Sequence, residues 1–482
     1  MLAAPPASPR SAVAGKGYWT RLLPPLALLA CVTRVPSFLR PLWNPDEGYL
    51  AVQAEILAQG GRLYETVVDR KPPLLPWLYE AAFAVFGSGS LAPVRVLAVL
   101  AQLATAVLLA SLARRRWGDR AGRTAAVLYL LVSVGLNPED AQAAGFEVFI
   151  LPCTAAAMWC ADRGRWAAAG TAVACAFLTK QTGGAVLLPV VCLLNRYGFS
   201  RAATLRLAAG AVLPVLGAAL LTDPAGFVFW TVTGSSAYAS VTGSELHVLA
   251  RALTNTAILA AACTGLLPPV ARALRIARTG AVDLWLWLAA SVVAVTLGCH
   301  FFGHYFLQLT PPLALLATAA LQVLPRERAT AAVLTSCCAC VLFLAWGVFA
   351  PRGELAHAQR LALTLDRRTA PGDRVLVWGM HPETYWLAGR TPVTRYLTAG
   401  LLTNFSGGRD GPQVGEKYAV EGTWPVFRAE LAARPPALVI DDSRGKPYGP
   451  ARVPALLRFL TARYEQAGEV DGAVLYVRAP GE

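Results

Sequence analysis

The sequence predicts an α-helical polytopic membrane protein of about 11 transmembrane helices, with a small external α/β domain at its C-terminal end. Three observations predict it. Of the 482 residues, 55% are hydrophobic and only 15% charged, with a mean hydropathy of +0.47, whereas a soluble protein carries about a quarter charged residues. The 43 Lys and Arg outnumber the 29 Asp and Glu for a net charge of +14, and 38 of those cations are Arg, mostly in short clusters between apolar runs. That is the pattern of basic loops kept on the cytoplasmic side of a membrane. Finally, the last stretch of the chain alternates helix-like segments with short apolar strands, as a small α/β layer does. An ordinary cytosolic enzyme is excluded by this composition. Nucleic acid is not an expected partner, because no basic helix or aromatic RNA-binding strand accompanies the positive charge.

A spanning helix needs about 20 mostly apolar residues, and eleven windows qualify: 21–39, 91–113, 124–138, 146–161, 166–179, 183–195, 207–222, 249–270, 282–300, 304–323 and 330–350. The first is long and lacks a small-residue cleavage site, so it reads as a span rather than a signal peptide. With Arg10, Lys16 and Arg21 inside, the cations at 114–116, 120 and 123 are inside too. So are Arg163 and Arg165, Arg196 and Arg201, Arg272, Arg275 and Arg278, and Arg326 and Arg328. The intervening loops 139–145, 223–247 and 301–303 contain neither Lys nor Arg. This asymmetry gives a multi-pass plasma-membrane protein with a cytoplasmic N-terminus and an extracytoplasmic C-terminal domain. The short runs 166–179 and 183–195, separated by Lys180-Gln181-Thr182, are the weakest of these, and losing both as one re-entrant pair would leave that orientation unchanged. Trp19, Trp43 and Trp77 fit the aromatic belts of the membrane interface.

All ten cysteines lie inside apolar stretches, so no disulfide framework is expected. Cys337, Cys338 and Cys340 share a run with Leu334, Val341 and Leu342, lack a His or carboxylate partner, and read as packing residues. Two segments are large enough to carry chemistry outside: the loop 40–90, which belongs to a membrane domain spanning 1–350, and the soluble domain 351–482. In the latter the sequence predicts helices at 353–368, 383–389, 425–433 and 453–464, strands at 374–379, 437–442 and 473–478, and a Gly-rich loop at 405–415.

The informative stretch is WNPDEGYLAVQAEILAQGGRLYETVVDRKPPLLPWLYEAAFAVFG, residues 43–87. Local physics explains its start as a helix cap, with Asn44 as cap, Pro45 at the first helical position and Glu47 at the third, closing back on the cap. Acidic residues there also suit the helix dipole. Context adds a second reading: a carboxylate pair near the external surface, beside Arg70 and Lys71, sets a potential base next to a potential anion site.

At these residues the chain resembles the GT-C glycosyltransferases that take sugar from a polyprenyl-phosphate carrier, in particular the protein O-mannosyltransferase and aminoarabinose-transferase-like branch. The matching elements are Asp46-Glu47, Gly60-Gly61, Leu63-Tyr64, DRKPPL at 69–74, Trp77 and Phe86-Gly87, with Glu147 in FEVFILP, Lys180 in TKQTG and GHYFLQLTPPLALL at 303–316. The resemblance runs over 20–350. It implies transfer of a sugar from a polyprenyl-phosphate-sugar donor to an external acceptor, a protein, lipid or cell-wall glycan, with inversion and no covalent intermediate. Asp46 matches the Asp placed to bind the acceptor and deprotonate its hydroxyl, a poor nucleophile without such help. Lys71, Arg70 and Lys180 are the candidates to stabilise the leaving lipid phosphate. A second acidic residue is expected among Glu139, Asp140 and Glu147. Asp140 suits the loop role and Glu147 that of an ionisable group inside a span.

The candidate catalytic residues are therefore Asp46, Glu47 and Asp140, and the candidate substrate-binding residues Tyr64, Asp69, Arg70, Lys71, Glu147, Lys180, His304 and Tyr305. Some relatives carry Glu before the Lys-Pro-Pro, where this chain has Arg70. A divalent cation is thus left open as a cofactor, with no metal ligand assigned. His300 and His304 have an i, i+4 spacing, but Gly303 interrupts any continuing helix and no acidic partner is adjacent in sequence. His381, in the Gly379-Met380-His381-Pro382 turn, receives no role. From other classes, a secondary transporter would suit many spans with scattered charges, but the polar residues concentrate at external span ends rather than in mid-membrane repeats. A non-catalytic sugar-binding scaffold is the third reading, against which Asp46 and Lys71 argue.

Overall fold

The computed structural model describes residues 13–234, 244–275, 281–405 and 413–479. Arg10, Arg278 and the central parts of the 223–247 and 405–415 loops lie outside the described residues. The bundle runs through α1 (Val13–Thr33), α2 (Pro45–Ala58), α3 (Leu74–Phe86), α4 (Ala92–Trp117), α5 (Asp119–Val132), α6 (Pro138–Ala141), α7 (Phe146–Ala161) and α8 (Trp166–Thr179). It continues through α9 (Leu187–Arg196), α10 (Arg201–Leu221), α11 (Pro224–Thr231), α12 (Glu245–Ala262), α13 (Leu267–Arg275), α14 (Val282–Thr296), α15 (Thr310–Leu321) and α16 (Arg326–Phe349).

Every apolar window contains helix, and the bounds of α7 and α8 coincide with those read from sequence. Among the described residues, however, only Ala92–Trp117, Arg201–Leu221 and the stretch Arg326–Arg368 are long and apolar enough to cross a membrane. A 14-residue helix rises about 21 Å, short of the roughly 30 Å hydrocarbon core. Several of the apolar windows are compound instead. The window 183–195 is a 3-10 stretch, Gln181–Val186, running into α9, and 304–323 is a 3-10 stretch, Gly303–Leu309, running into α15. Window 249–270 divides into α12 and α13 just before Pro268-Pro269, which cannot continue a helix. At one end of the bundle the Arg-rich turns close on two carboxylates: Arg116 lies 2.8 Å from Asp162 and 2.7 Å from the fully buried Asp283, which Arg196 also reaches at 3.1 Å. These pairs tie together the ends of α4, α7, α9 and α14.

The C-terminal domain carries α17 (Gly353–Arg368), β1 (Arg374–Trp378), α18 (Glu383–Ala388), β2 (Thr391–Pro392), α19 (Gly400–Thr403), α20 (Thr423–Ala433), β3 (Leu438–Asp441), α21 (Pro454–Arg463), β4 (Tyr464–Val470) and β5 (Ala473–Arg478). Its sheet has the order β2-β1-β3-β5-β4, with β1 parallel to β2 and β3, and β5 antiparallel to β3 and β4. The expected strands are there. β4 was not expected, because YEQAGEV is too polar for a buried strand; it is a bulged edge strand, joined to β5 through Asp471-Gly472, both at positive φ. Asp-Gly between two strands is a strong hairpin signal.

Two apolar cores meet at α2. Leu50, Ala51 and Ala54 pack into the bundle core, while Val52 and Leu57, with Leu63, Tyr64, Val67 and Val68, share a core with Leu361, Leu376, Ile440 and the rest of the C-terminal domain. The loop 45–68 therefore belongs to both bodies. A Cβ on Gly48 would stand 2.3 Å from Glu383 Cβ and 2.6 Å from its Cα, so α18 seats directly on the glycine. Gly48→Ala should destabilise the protein by about 1–3 kcal/mol, the cost of overpacking a contact whose neighbour is backbone. Thermal unfolding in detergent, with protease access to residues near 351 as a second readout, measures it; an unchanged midpoint would show that the seat is loose.

Candidate active site

At the start of α2, Asn44 Oδ1 accepts a hydrogen bond from the Glu47 backbone N–H at 3.0 Å, and Pro45 occupies the first turn. The cap is as the sequence suggests, but the Glu47 carboxylate does not close back on it. Glu47 Oε2 accepts from the backbone N–H of Trp43 at 2.8 Å, and Oε1 from that of Ala144 at 2.7 Å. Arg95 lies 3.1 Å from Oε2 and also donates to the carbonyls of Arg40 and Pro41. With side chains 0% and 4% exposed, Glu47 and Arg95 form an enclosed clamp binding the first loop to the chain before α7. Packing turned this carboxylate inward, where two backbone N–H groups and the Arg95 guanidinium are its partners. Its neighbour Asp46 faces the other way.

Around Asp46 the distant motifs converge. Lys71 Nζ stands 3.3 Å from Asp46 Oδ2, and His304 Nε2 is 4.0 Å from the same oxygen. His304 Nδ1 in turn contacts Asp140 Oδ1 at 2.7 Å. Lys180 pairs with Glu147 and holds its ammonium 3.7 Å above the Tyr305 ring, while Lys71 lies 4.1 Å above that of Phe146. Exposure grades across the cluster: 37% for Asp46 and 25% for Lys71, 16% for Asp140 and His304, then 9% for Lys180 and 2% for Glu147. The site is thus a cleft wet at Asp46 and dry at the Glu147–Lys180 pair. Enclosure by protein raises the Asp46 carboxyl, but neighbouring Lys71, His304 and Lys180 outweigh it and hold the group below its ordinary value. Asp69 goes the other way: burial pushes it up and the Asp46 charge adds to this, against Lys71.

The residues that hold these groups are mostly polar side chains bonded to backbone. Tyr64, at φ +74, donates its hydroxyl to the Lys71 carbonyl at 2.9 Å. Tyr49 donates to the Val68 carbonyl at 2.6 Å, and Gln53 to Asp69 Oδ2 at 3.3 Å. Gln181 donates to the Arg70 carbonyl at 2.6 Å and that of Thr231 at 3.0 Å. A Cβ on Gly303 would stand 2.2 Å from Asp140 Oδ2, so only glycine allows the carboxylate to lie over that backbone and meet His304. Tyr64 is buried under the loop rather than in the cleft, and burial keeps its phenol protonated as a donor.

Of the candidates named from sequence, Asp46, Lys71, Asp140, Glu147, Lys180, His304 and Tyr305 gather here. Asp69 and Arg70 lie just behind, and Glu47 and Tyr64 lie outside the cleft. Glu139 turns to Arg352 at 3.2 Å, at the rim. His300 stacks on Phe302 and its carbonyl accepts from Arg251; a helix that would align it with His304 does not form, since Cys299 and Phe301 have positive φ. Sequence reasoning missed Arg95, Gln53 and Gln181, for which no local signal exists. It also missed a polar cluster in the C-terminal domain, where His357 Nε2 meets the buried Asp442 at 2.8 Å and Arg444 joins Asp442, Glu354 and His381. Among the described residues no three His, Cys, Asp or Glu side chains are grouped so as to hold a metal ion. Asp46 and His304 are engaged with Lys71 and Asp140.

Residues 70–222 match the family described as "Dolichyl-phosphate-mannose-protein mannosyltransferase". None of the curated proteins matches the chain. Among solved structures, ArnT from Cupriavidus metallidurans bound to undecaprenyl phosphate superposes with a TM-score of 0.65 at 14% identity, over 98% of this chain and 99% of that one. Its apo state gives 0.64 at 16% identity, over 97% and 99%. The Archaeoglobus fulgidus oligosaccharyltransferase tethered with an acceptor peptide gives 0.51 at 12% identity, over 96% of this chain and 74% of that one. The resemblance first drawn from the loop at 43–87 is thus met at two levels: the chain shares the fold of the ArnT structures over nearly its whole length, and residues 70–222 match the mannosyltransferase family.

Proposed function

We propose that the chain is an integral-membrane glycosyltransferase that moves a sugar from a polyprenyl-phosphate donor to a hydroxyl on an acceptor at the outer membrane face. The observation that carries this reading is the cleft itself: a partly exposed carboxylate, Asp46, paired with the partly exposed Lys71, with a second ammonium group, Lys180, on the dry side. The acceptor hydroxyl meets Asp46, which takes its proton as the oxygen attacks the anomeric carbon. The bond from that carbon to the lipid phosphate breaks, and Lys71 and Lys180 balance the charge that develops on the phosphate. One base and a direct displacement give inversion. Undecaprenyl phosphate, the ligand named for the ArnT structure, is the carrier this reading would test first. Purified full-length protein should release undecaprenyl phosphate from at least one of a panel of undecaprenyl-phosphoryl hexoses and pentoses when membrane extract supplies acceptors. Sugar uptake into sealed vesicles without donor cleavage would favour a transporter instead.

The same reading takes the eleven helical passes as membrane crossings, simple or compound, with the cytoplasmic side at the Arg116–Asp283 end. The cleft and the domain 351–482 then lie outside, in a plasma-membrane protein surrounded by lipid. A reporter fused after residue 351 that requires export should be active, and cytoplasmic activity of that fusion would overturn the orientation.

A further inference from the structure

Resting on the assignment of Asp46 as base, we infer that His304, oriented by Asp140, is the second carrier of the acceptor proton, taking it from Asp46 and passing it to water. Asp140 is the positioning residue. An ionised carboxylate only accepts, so the 2.7 Å contact fixes the hydrogen of the neutral ring on Nδ1 and leaves Nε2 bare, 4.0 Å from Asp46 Oδ2. That separation is a contact and not a hydrogen bond; catalytic hydrogen bonds commonly tighten only when substrate is bound.

The ring is held for this. Phe302 stacks on it at 5.6 Å and 6°, and Tyr305 meets it edge-on at 4.9 Å. The loop before it has positive φ at Cys299 and Phe301 and is pinned by Asn255 to the Phe301 carbonyl at 2.8 Å and by Arg251 to that of His300 at 3.0 Å. Strained backbone that is this heavily tied down is characteristic of sites that must hold one geometry. The charged groups around the ring are Asp46 on α2, Lys71 after it, Glu139 and Asp140 on α6, Glu147 on α7, Lys180 after α8, and Arg251 on α12, which stands 4.5 Å over Phe302.

The need arises from Lys71. A proton left on Asp46 breaks its pair with Lys71, and moving the proton on restores it. The balance closes: the acceptor O–H breaks, the new bond to the anomeric carbon forms, and the phosphate leaves with the electron pair of its bond to that carbon. The proton travels from the hydroxyl to Asp46 Oδ2, then to His304 Nε2, then to water at the partly exposed ring.

Two measurements on full-length protein in nanodiscs test this. The chain has five histidines, so 15N-histidine spectra, assigned through His304→Gln, report its tautomer. The expected state at high pH is Nδ1–H with bare Nε2, a preference lost in Asp140→Asn; an Nε2–H tautomer would overturn the inference. In turnover of undecaprenyl-phosphoryl sugar, His304→Gln should bind undecaprenyl phosphate normally and lose at least tenfold in kcat at neutral pH. Its acid limb should move to lower pH, because Asp46 is then the remaining titrating base, and added imidazole should restore part of the rate. An unmoved acid limb, or an equal loss at every pH without rescue, rejects the relay. Should His304→Gln fail to fold, Asp140→Asn carries the same test. An active Asp46→Asn protein would reject the base assignment itself, and the tautomer measurement stands apart from that outcome.

Discussion

Asp46→Asn should leave the protein folded and able to bind undecaprenyl phosphate, while transfer falls by on the order of a hundredfold or more, the scale of lost general-base assistance. Asn keeps the size and one acceptor of the side chain but cannot take a proton. The stability cost is small for two reasons. The pair with Lys71 is partly exposed at both ends, where ion pairs contribute about 0–1 kcal/mol. The carboxylate in the first helical turn adds roughly 0.3–1 kcal/mol through the dipole. Lys71→Ala should divide the effects differently, weakening undecaprenyl phosphate binding because a charge-assisted contact to phosphate is lost. Binding by equilibrium titration and transfer by label release separate the two variants. A well-folded Asp46→Asn protein with near-wild-type transfer would return this residue to its helix-start role.

Glu47→Gln should do the reverse, costing stability first. As a cap residue Glu47 would tolerate Gln, which retains size and an acceptor. In the folded protein the change instead leaves Arg95 charged, 4% exposed and without its carboxylate. Breaking a buried pair from one side costs about 3–5 kcal/mol, and the clamp holds both Trp43 and Ala144. Poor accumulation and a markedly lower unfolding midpoint are expected. The double variant Glu47→Gln with Arg95→Met removes the stranded charge and should recover part of the loss, since an apolar replacement of a buried pair is often tolerated. If the single variant is as stable as wild type, or the double variant is no better than the single, Glu47 is not held as a buried ion pair.

The contrast between these adjacent carboxylates marks where sequence reasoning stops. The cap formed by Asn44 and Pro45 was legible because its partners lie within one helical turn. The helix bounds 146–161, 166–179 and 353–368 were legible because hydropathy and its period are properties of a window. The motif residues were legible as chemistry, and the family resemblance followed from them. What each carboxylate does was not. Glu47 meets Arg95 across 48 residues, Glu147 meets Lys180 across 33, and Asp140 meets His304 across 164. Nothing local encodes those pairings, because burial and charge compensation are decided by which surfaces pack together. The seating of α18 on Gly48 is of the same kind: a glycine within a helix reads as a weak position until a second body is found lying on it. The sequence by itself determined the apolar helices, the α/β character of the last domain and the set of reactive side chains. Only the tertiary structure decided which of those side chains face one cleft, since a charge inside protein takes its role from the partner that desolvation obliges it to find.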